Sequence, residues 1–377
     1  MTDNMSIDII INSTTPGGDN ISDQDLSLID YPKEIKYKPL WEIVVKTLFY
    51  VPVIILAVIG NVIIIAVVAK NKWMQTTTNY YIVNLAVADC LIAITCSWTH
   101  LVDDMTPFWI LGSFFCPFNS FSQVLFLVAS IFTLTFIACD RFFGIVFAMK
   151  AHFIERRATC TIILIWVLSV LVASPLMYYR RLQEVHWKNL VESWCDDEWP
   201  LIVYEDPETG QQVSNRFERK FYYLFVCVVL FFLPCLVMCV AYTVIIVTLW
   251  LARVPGERIS KDIKSQTKMR KKVVLMLVVI LAVFILCWMP FVVAIIYSEF
   301  FHKPPNQLEE WYIRFSYFAR FLAHANSAIN PIIYAGFNDK FKKGFQNLCR
   351  GSERRSRYNT MVSRVDSFQS STHVTKV

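Results

Sequence analysis

Charge is scarce in this sequence. Asp, Glu, Lys and Arg make up 18% of the 377 residues, against about 25% in an ordinary soluble domain, while 55% are hydrophobic. That balance excludes a single soluble globular domain. The eleven cysteines include no Cys-x-x-Cys pair and no Cys/His spacing of a metal site. No internal repeat is visible, which weighs against most secondary transporters. Residues 1–30 contain no Lys or Arg, and no basic stretch followed by an apolar run opens the chain as a cleaved signal peptide would. The formal net charge of +6 is gathered in particular loops and towards the far end. That is the charge pattern of a membrane protein, and no nucleic-acid partner is expected.

What is present is seven apolar runs, at about 43–69, 79–101, 115–139, 158–179, 221–251, 273–298 and 312–335, each long enough to span a bilayer. The third is the most informative. From Cys116 to Arg141 it is almost wholly apolar, with a cysteine at one end and Asp140-Arg141 at the other. At about 1.5 Å per residue it covers roughly 39 Å, more than a hydrocarbon core of ~30 Å. Cys116, Gln123 and Ser130 recur every seven residues and share one helical stripe, so this helix is expected to face other helices.

Orientation follows from the short loops. Lys70 and Lys72, then Arg141, Lys150, Arg156 and Arg157, then the eight basic residues from Arg253 to Lys272 all fall on the side of the basic tail. Positive residues mark the cytoplasmic side, so the N-terminus is expected outside. Three sequons in the acidic first tail, at Asn4, Asn12 and Asn20, agree with that placement and are candidate glycosylation sites. Most cysteines lie within apolar runs and read as small packing residues. Cys116 at a helix mouth and Cys195 in a polar loop differ; if both face outside, they can pair. Val185–Trp187 and Leu201–Tyr204 have strand character, and a hairpin around Cys195 is expected. Phe337, Phe341 and Phe345 alternate with lysines as in a short amphipathic helix on the inner leaflet, and Cys349 at its end is a palmitoylation candidate. The division is a tail at 1–42, a spanning domain at 43–337, a surface helix at 338–349 and a disordered tail at 350–377.

Gly60-Asn61, Leu85–Asp89, Trp109, Cys116, Asp140-Arg141-Phe142, Trp166, Pro234 with Tyr242, Cys287–Pro290 and Asn330–Tyr334 follow one another, one set per run. In this order they resemble the rhodopsin-type (class A) G-protein-coupled receptors, over about residues 43–349. The resemblance implies an all-α membrane protein: a seven-transmembrane bundle, an amphipathic eighth helix and a β-hairpin in the second extracellular loop. It implies a plasma-membrane receptor that is not an enzyme and has no catalytic residue. It implies that Cys116 pairs with Cys195. It implies a sodium pocket of Asp89, Ser130, Asn326 and Asn330, with no other cofactor. By the same resemblance Trp288 senses the ligand, Ile131, Pro234 and Phe284 repack on activation, and Pro290 and Pro331 bend helices six and seven. Tyr242 and Tyr334 swing inward, and Arg141, held by Asp140, meets the heterotrimeric G protein. Two departures stand out: Phe142 replaces the usual tyrosine, and Arg270 stands where many members carry the acid that clamps the arginine. Like charges cannot clamp, so basal signalling is expected.

The ligand class is read partly by elimination. Gln123 replaces the aspartate of amine receptors, and no lysine of the retinal type lies between Trp311 and Tyr334, where His324 takes that place. Glutamine at that position is similar to the receptors for orexins, neuropeptide FF and other RF-amide peptides, and neuropeptide Y. Asp103, Asp104, Asp196, Asp197, Glu198 and Glu299 suggest an acidic rim, of which Asp103, Asp197 and Glu299 are the candidates for a basic ligand. His100, Val124, Leu127, Ile295 and His324 complete the expected site with Trp288, and Arg320 pairs with one of the acids or binds a carboxylate or carbonyl of the ligand. The expected ligand is a basic, carboxy-amidated peptide. A lipid or small-molecule receptor is the alternative, and a transporter or channel a remote one. Serines and threonines of the tail, Ser356 to Thr372, offer kinase and arrestin sites, and Thr375–Val377 fits a PDZ ligand.

Overall fold

The computed structural model describes residues 26–147, 158–205, 212–251, 261–301 and 309–348. Asn4, Asn12, Asn20, Cys349, the tail serines and threonines and Thr375–Val377 lie outside them, as do Lys150, Arg156, Arg157, Arg253 and Arg258. The described chain is a bundle of seven long helices: α1 Leu40–Lys70, α2 Thr77–Met105, α3 Gly112–Val146, α4 Ala158–Tyr179, α5 Phe217–Leu251, α6 Lys261–Phe301 and α7 Glu310–Phe337. A short α8 comes next, at 339–348. Each long helix contains the apolar run expected for it; α4 coincides with its run, and the others extend beyond theirs. The first six are long and apolar enough to cross a membrane. The seventh is as long but carries Arg320, His324, Asn326 and Asn330 on a polar face that turns towards the other helices, and Arg314 on its exposed side.

In the ring of helices α1 packs on α2 and α7, α6 on α5 and α7, and α3 on α2, α4 and α5. The central position of α3 explains its polar stripe: 72% of its most apolar window is buried, against 22% in α4. Large apolar side chains such as Leu48, Ile59, Leu171, Leu236 and Leu286 stay exposed around the outside. A soluble protein would bury such a belt; a bilayer solvates it. The core runs down the inside from Trp288 through Phe284 and Ile131 to Ile245.

Three helices contain a wide π turn: Ala93–Ser97 in α2, Val228–Phe232 in α5 and Tyr297–Phe301 in α6. Each adds one residue to a turn and re-aims the next stretch of helix. Helix α7 continues through Pro331 to Phe337, so the loss of one backbone bond there does not end it.

Between α4 and α5 the chain forms two antiparallel hairpins. β1 Arg180–His186 pairs with β2 Val191–Asp197, with Leu182 opposite Cys195, and β3 Ile202–Glu205 pairs with β4 Gln212–Asn215. Residues before α1 lie along the first hairpin. Lys188 N donates to Ile29 O at 3.0 Å, and the Tyr31 ring meets Trp187 and Phe108 at 5.6 and 6.1 Å. At the other end Phe341 of α8 is buried against Tyr334, ring centroids 5.5 Å apart, while Phe345 stays exposed. The expected amphipathic face is therefore split between bundle and lipid.

Gly60 of α1 is where α7 comes closest: a Cβ there would lie 2.7 Å from Pro331 Cγ. Gly60→Ala should therefore destabilise the receptor fold by about 1–3 kcal/mol through overpacking. Gly336→Ala, with nothing within 4 Å of its Cβ position, should not. Thermal unfolding of the two variants in detergent measures the difference.

Candidate functional site

A cavity of about 170 Å³ opens at the hairpin end of the bundle. The hairpin is fixed over it. Cys195 is bonded to Cys116 at the start of α3, their Cα atoms 5.6 Å apart. Trp109 N donates to Ser193 O at 2.8 Å, and Ser193 Oγ donates to Trp109 O at 2.7 Å. The turn into α3 needs Gly112, whose φ of +77° lies in the left-handed region.

The cavity floor is polar. His100 Nε2 and Gln123 Oε1 lie 3.0 Å apart, and Asn119 Nδ2 is 3.5 Å from the same imidazole nitrogen. Thr99 Oγ1 donates to Asn119 Oδ1 at 2.7 Å. An amide oxygen only accepts, so the shorter contact, to Gln123, takes the His100 proton on Nε2 and leaves Nδ1 as an acceptor; the Asn119 nitrogen at 3.5 Å is then a neighbour and not a donor to that atom. His100 Nδ1, Gln123 Nε2, Trp194 Nε1 and Ser316 Oγ are buried around the cavity without a hydrogen-bond partner among the described residues.

Of the residues expected at this site, His100, Asp103, Gln123, Val124, Leu127, Ile295, Glu299 and Arg320 line the cavity. Three do not. Trp288 is buried below, between Phe284 and Phe291, with both ring centroids at 6.1 Å. Phe291 lines the cavity instead. His324 is buried beside His100, with ring centroids 5.1 Å apart, and its Nδ1 lies 3.1 Å from Ser97 Oγ. Asp197 is turned away by Arg180, whose Nη1 donates to Oδ1 at 2.7 Å, and by the Tyr223 hydroxyl, which donates to Oδ2 at 2.6 Å. Burial alone would raise the Asp197 pKa; Arg180 and Arg219 outweigh it and hold the carboxyl below the usual aspartate range. The Arg180 guanidinium, in turn, is held more firmly protonated by Asp197 against the opposing effect of burial.

The expected acidic rim is corrected accordingly. Asp104 is bound by Lys38 and Lys46 at 2.8 and 2.5 Å, and Glu299 by Arg219 at 2.8 Å. Of the acids lining the cavity, Asp103 alone has no ion pair among the described residues, and Arg320 is its counterpart among the cations. Arg320 pairs with none of the acids; its Nε donates to Ser316 O at 3.3 Å. The expectation missed Asn119, Tyr312, Ser316 and Tyr223. Asn119 falls on the Cys116–Gln123 stripe, and Tyr312, Ser316 and Arg320 repeat every four residues, so spacing alone could have found them.

Below the cavity Asp89 is buried. Ser327 Oγ donates to its Oδ1 and Asn330 Nδ2 to its Oδ2, both at 2.8 Å. Ser130 and Asn326, expected here, make no hydrogen bond to it among the described residues; Ser327, one residue beyond Asn326, takes the place. Asn61 Oδ1, Asn326 Oδ1 and Asn330 Oδ1 are buried with no hydrogen-bond partner among the described residues. Of these, Asn330 Oδ1 belongs to a side chain hydrogen-bonded to Asp89, and an open amide oxygen beside a carboxylate is the kind of hard donor a small cation takes.

Residues 60–334 match the profile of the 7 transmembrane receptor (rhodopsin family). The chain belongs to this family. It is a receptor and not an enzyme. It is similar to the Substance-P receptors of Rattus norvegicus and Homo sapiens, 33% and 32% identical over 317 residues, which is 83% of this chain and 72% of each relative. The Neuromedin-K receptor of Rattus norvegicus is 31% identical over 315 residues, 83% of this chain and 65% of that one.

At the end of the receptor opposite the hairpin, Arg141 Nη2 lies 2.7 Å from Asp140 Oδ2, and Thr78 Oγ1 donates to the same carboxylate oxygen at 2.7 Å. Arg141 also contacts the Thr78 hydroxyl. Arg270 is exposed and has no ion pair among the described residues. Lys272 instead reaches Asp339 of α8, at 2.7 Å. Ile131 and Phe284 are buried in the core, with Phe284 stacked on Phe231 at 6.0 Å. Tyr242 and Tyr334 are buried, Pro234 lies just past the π turn of α5, and Pro290 lies within α6.

Because Ser327 holds Asp89, Ser327→Ala should cost about 1–3 kcal/mol of stability, the penalty for an acceptor left unmet. Ser130→Ala should cost less. Thermal unfolding of both variants under one buffer condition decides which serine serves the carboxylate.

Proposed function

We propose that this receptor is activated by a peptide whose carboxamide end enters the cavity. The relatives carry the names of neuropeptides, substance P and neuromedin K, and those names support a neuropeptide as the ligand class. The floor supports the amide. Gln123 Nε2 is an unmatched donor and His100 Nδ1 an unmatched acceptor on one cavity wall. A primary carboxamide has an oxygen for the first and an N–H for the second. A carboxylate has no hydrogen to offer His100. Asp103 supplies the carboxylate for a basic residue of the ligand, and Arg320 a donor for a backbone carbonyl.

The basic loops and the acidic first tail support an N-terminus outside and a C-terminus in the cytoplasm of a plasma-membrane receptor. Agonist binding opens the Arg141 end to a heterotrimeric G protein. Receptor kinases and arrestin act on the tail, and a PDZ domain takes Thr375–Val377. Asn4, Asn12 and Asn20 carry glycans and Cys349 carries palmitate. A sodium ion would be held by Asp89 with Ser130, Asn326 and Asn330, and would supply positive charge to that carboxylate.

Two measurements test the reading. In cells expressing the receptor, a panel of amidated neuropeptides is read by calcium and cyclic AMP, each beside its free-acid form. The amide should be favoured at least about tenfold, the worth of one to two buried hydrogen bonds, and Gln123→Ala should remove most of that preference. Responses to lipids alone would favour the small-molecule alternative. Separately, Arg270→Glu gives Arg141 an acid to pair with and should lower ligand-free signalling; unchanged basal signalling would mean that no clamp is missing.

A further inference from the structure

Four charged side chains alternate in a row beneath the first hairpin: Arg180 on β1, Asp197 on β2, Arg219 on α5 and Glu299 in the π turn of α6. Arg219 occupies the middle. Its Nη2 donates to Glu299 Oε1 at 2.8 Å. Its Nε lies 3.9 Å from Asp197 Oδ2, within ion-pair range but beyond hydrogen-bond reach, and is buried with no hydrogen-bond partner among the described residues. One guanidinium thus stands between two carboxylates on different elements, bonded to one and about 1 Å short of the other. Glu299 lines the cavity and Asp197 does not.

We propose that Arg219 is a partner-exchanging residue that decides whether the cavity accepts a cation beside Glu299. Without ligand, Arg219 neutralises Glu299 from behind the cavity wall. A ligand guanidinium or ammonium at Glu299 competes with Arg219 for the one negative charge, and it gains the whole of that charge as Arg219 shifts to Asp197. The charges balance throughout: each carboxylate keeps a cation, and neither acid is left buried alone. Asp197 can receive the newcomer, because an ionised carboxylate has about four acceptor sites and the Arg180 and Tyr223 side chains use two. The exchange also moves the hold of α5 from α6 to the hairpin. A cationic ligand therefore frees the hairpin end of α6, and a neutral one does not. This refines the peptide reading above and rests on it for the ligand.

The test uses the full receptor in membranes and two carboxamide-ended peptides that differ only in arginine against citrulline at one position. In the native receptor the arginine peptide should be preferred by less than about tenfold, because its gain at Glu299 is offset by the bond Arg219 gives up. In Arg219→Gln the acid is unmasked, and the preference should rise beyond about a hundredfold. In Glu299→Gln it should vanish. Equal preference in native and Arg219→Gln receptors overturns the proposal. If neither peptide binds the native receptor, the peptide reading fails, and thermal unfolding without ligand still judges the exchange. Glu299→Gln should then lower the melting temperature little, since Asp197 takes up Arg219. Arg219→Gln should lower it more, and the double variant should recover part of that loss. Losses that simply add overturn the proposal.

Discussion

An acid buried away from water must find a donor, and in this receptor the donor comes from a different helix or strand wherever the acid is deepest. Asp89 on α2 is met by Ser327 and Asn330 on α7. Asp197 on the hairpin is met by Tyr223 on α5, and Glu299 on α6 by Arg219 on α5. Removing the cation from such a pair strands a charge in a low dielectric, at a cost of several kcal/mol, and removing a neutral donor such as Ser327 costs about 1–3 kcal/mol. Apolar packing alone would let the helices slide and rotate against one another, since lipid is as apolar as their side chains. The paired acids fix which faces meet, and so they fix where the cavity opens.

The same requirement sets the chemistry of the cavity. Most acids near it are already compensated by lysine or arginine, so the wall is nearly neutral in net charge. Selectivity rests instead on orientation: an amide donor here, an imidazole acceptor there, a guanidinium and a carboxylate without ion pairs. Hydrogen bonds of fixed polarity reject a ligand end that lacks the right group more sharply than a charged funnel would, because the protein atom is then left unmet.

Seven apolar runs, the loop hairpin and the central place of the Cys116–Arg141 helix were legible because length, periodicity and loop charge are local properties. So was most of the cavity, since His100, Gln123 and Ile295 lie on faces that spacing alone defines. The partners of the acids were not. Glu299 and Arg219 are 80 residues apart, and Asp89 and Ser327 are 238. Nothing in either local pattern selects one cation or hydroxyl over another a turn away, as the exchange of Ser327 for Ser130 and Asn326 makes plain. The depth of Trp288 and His324 was also hidden, because it depends on Phe291 and His100 standing above them.

The wide turn in α2 separates that helix into two parts with different duties. Thr77–Ile92 carries Asp89 and packs the core, and Trp98–Met105 carries His100 and Asp103 to the cavity. One residue fewer between them would close the turn to ordinary pitch and rotate the second part by about 100°. His100 and Asp103 would leave the cavity while Asp89 stayed where it is. The bulge therefore works as a swivel: the upper segment can be re-aimed for a new ligand by a single insertion or deletion, without disturbing the lower segment on which the bundle is built.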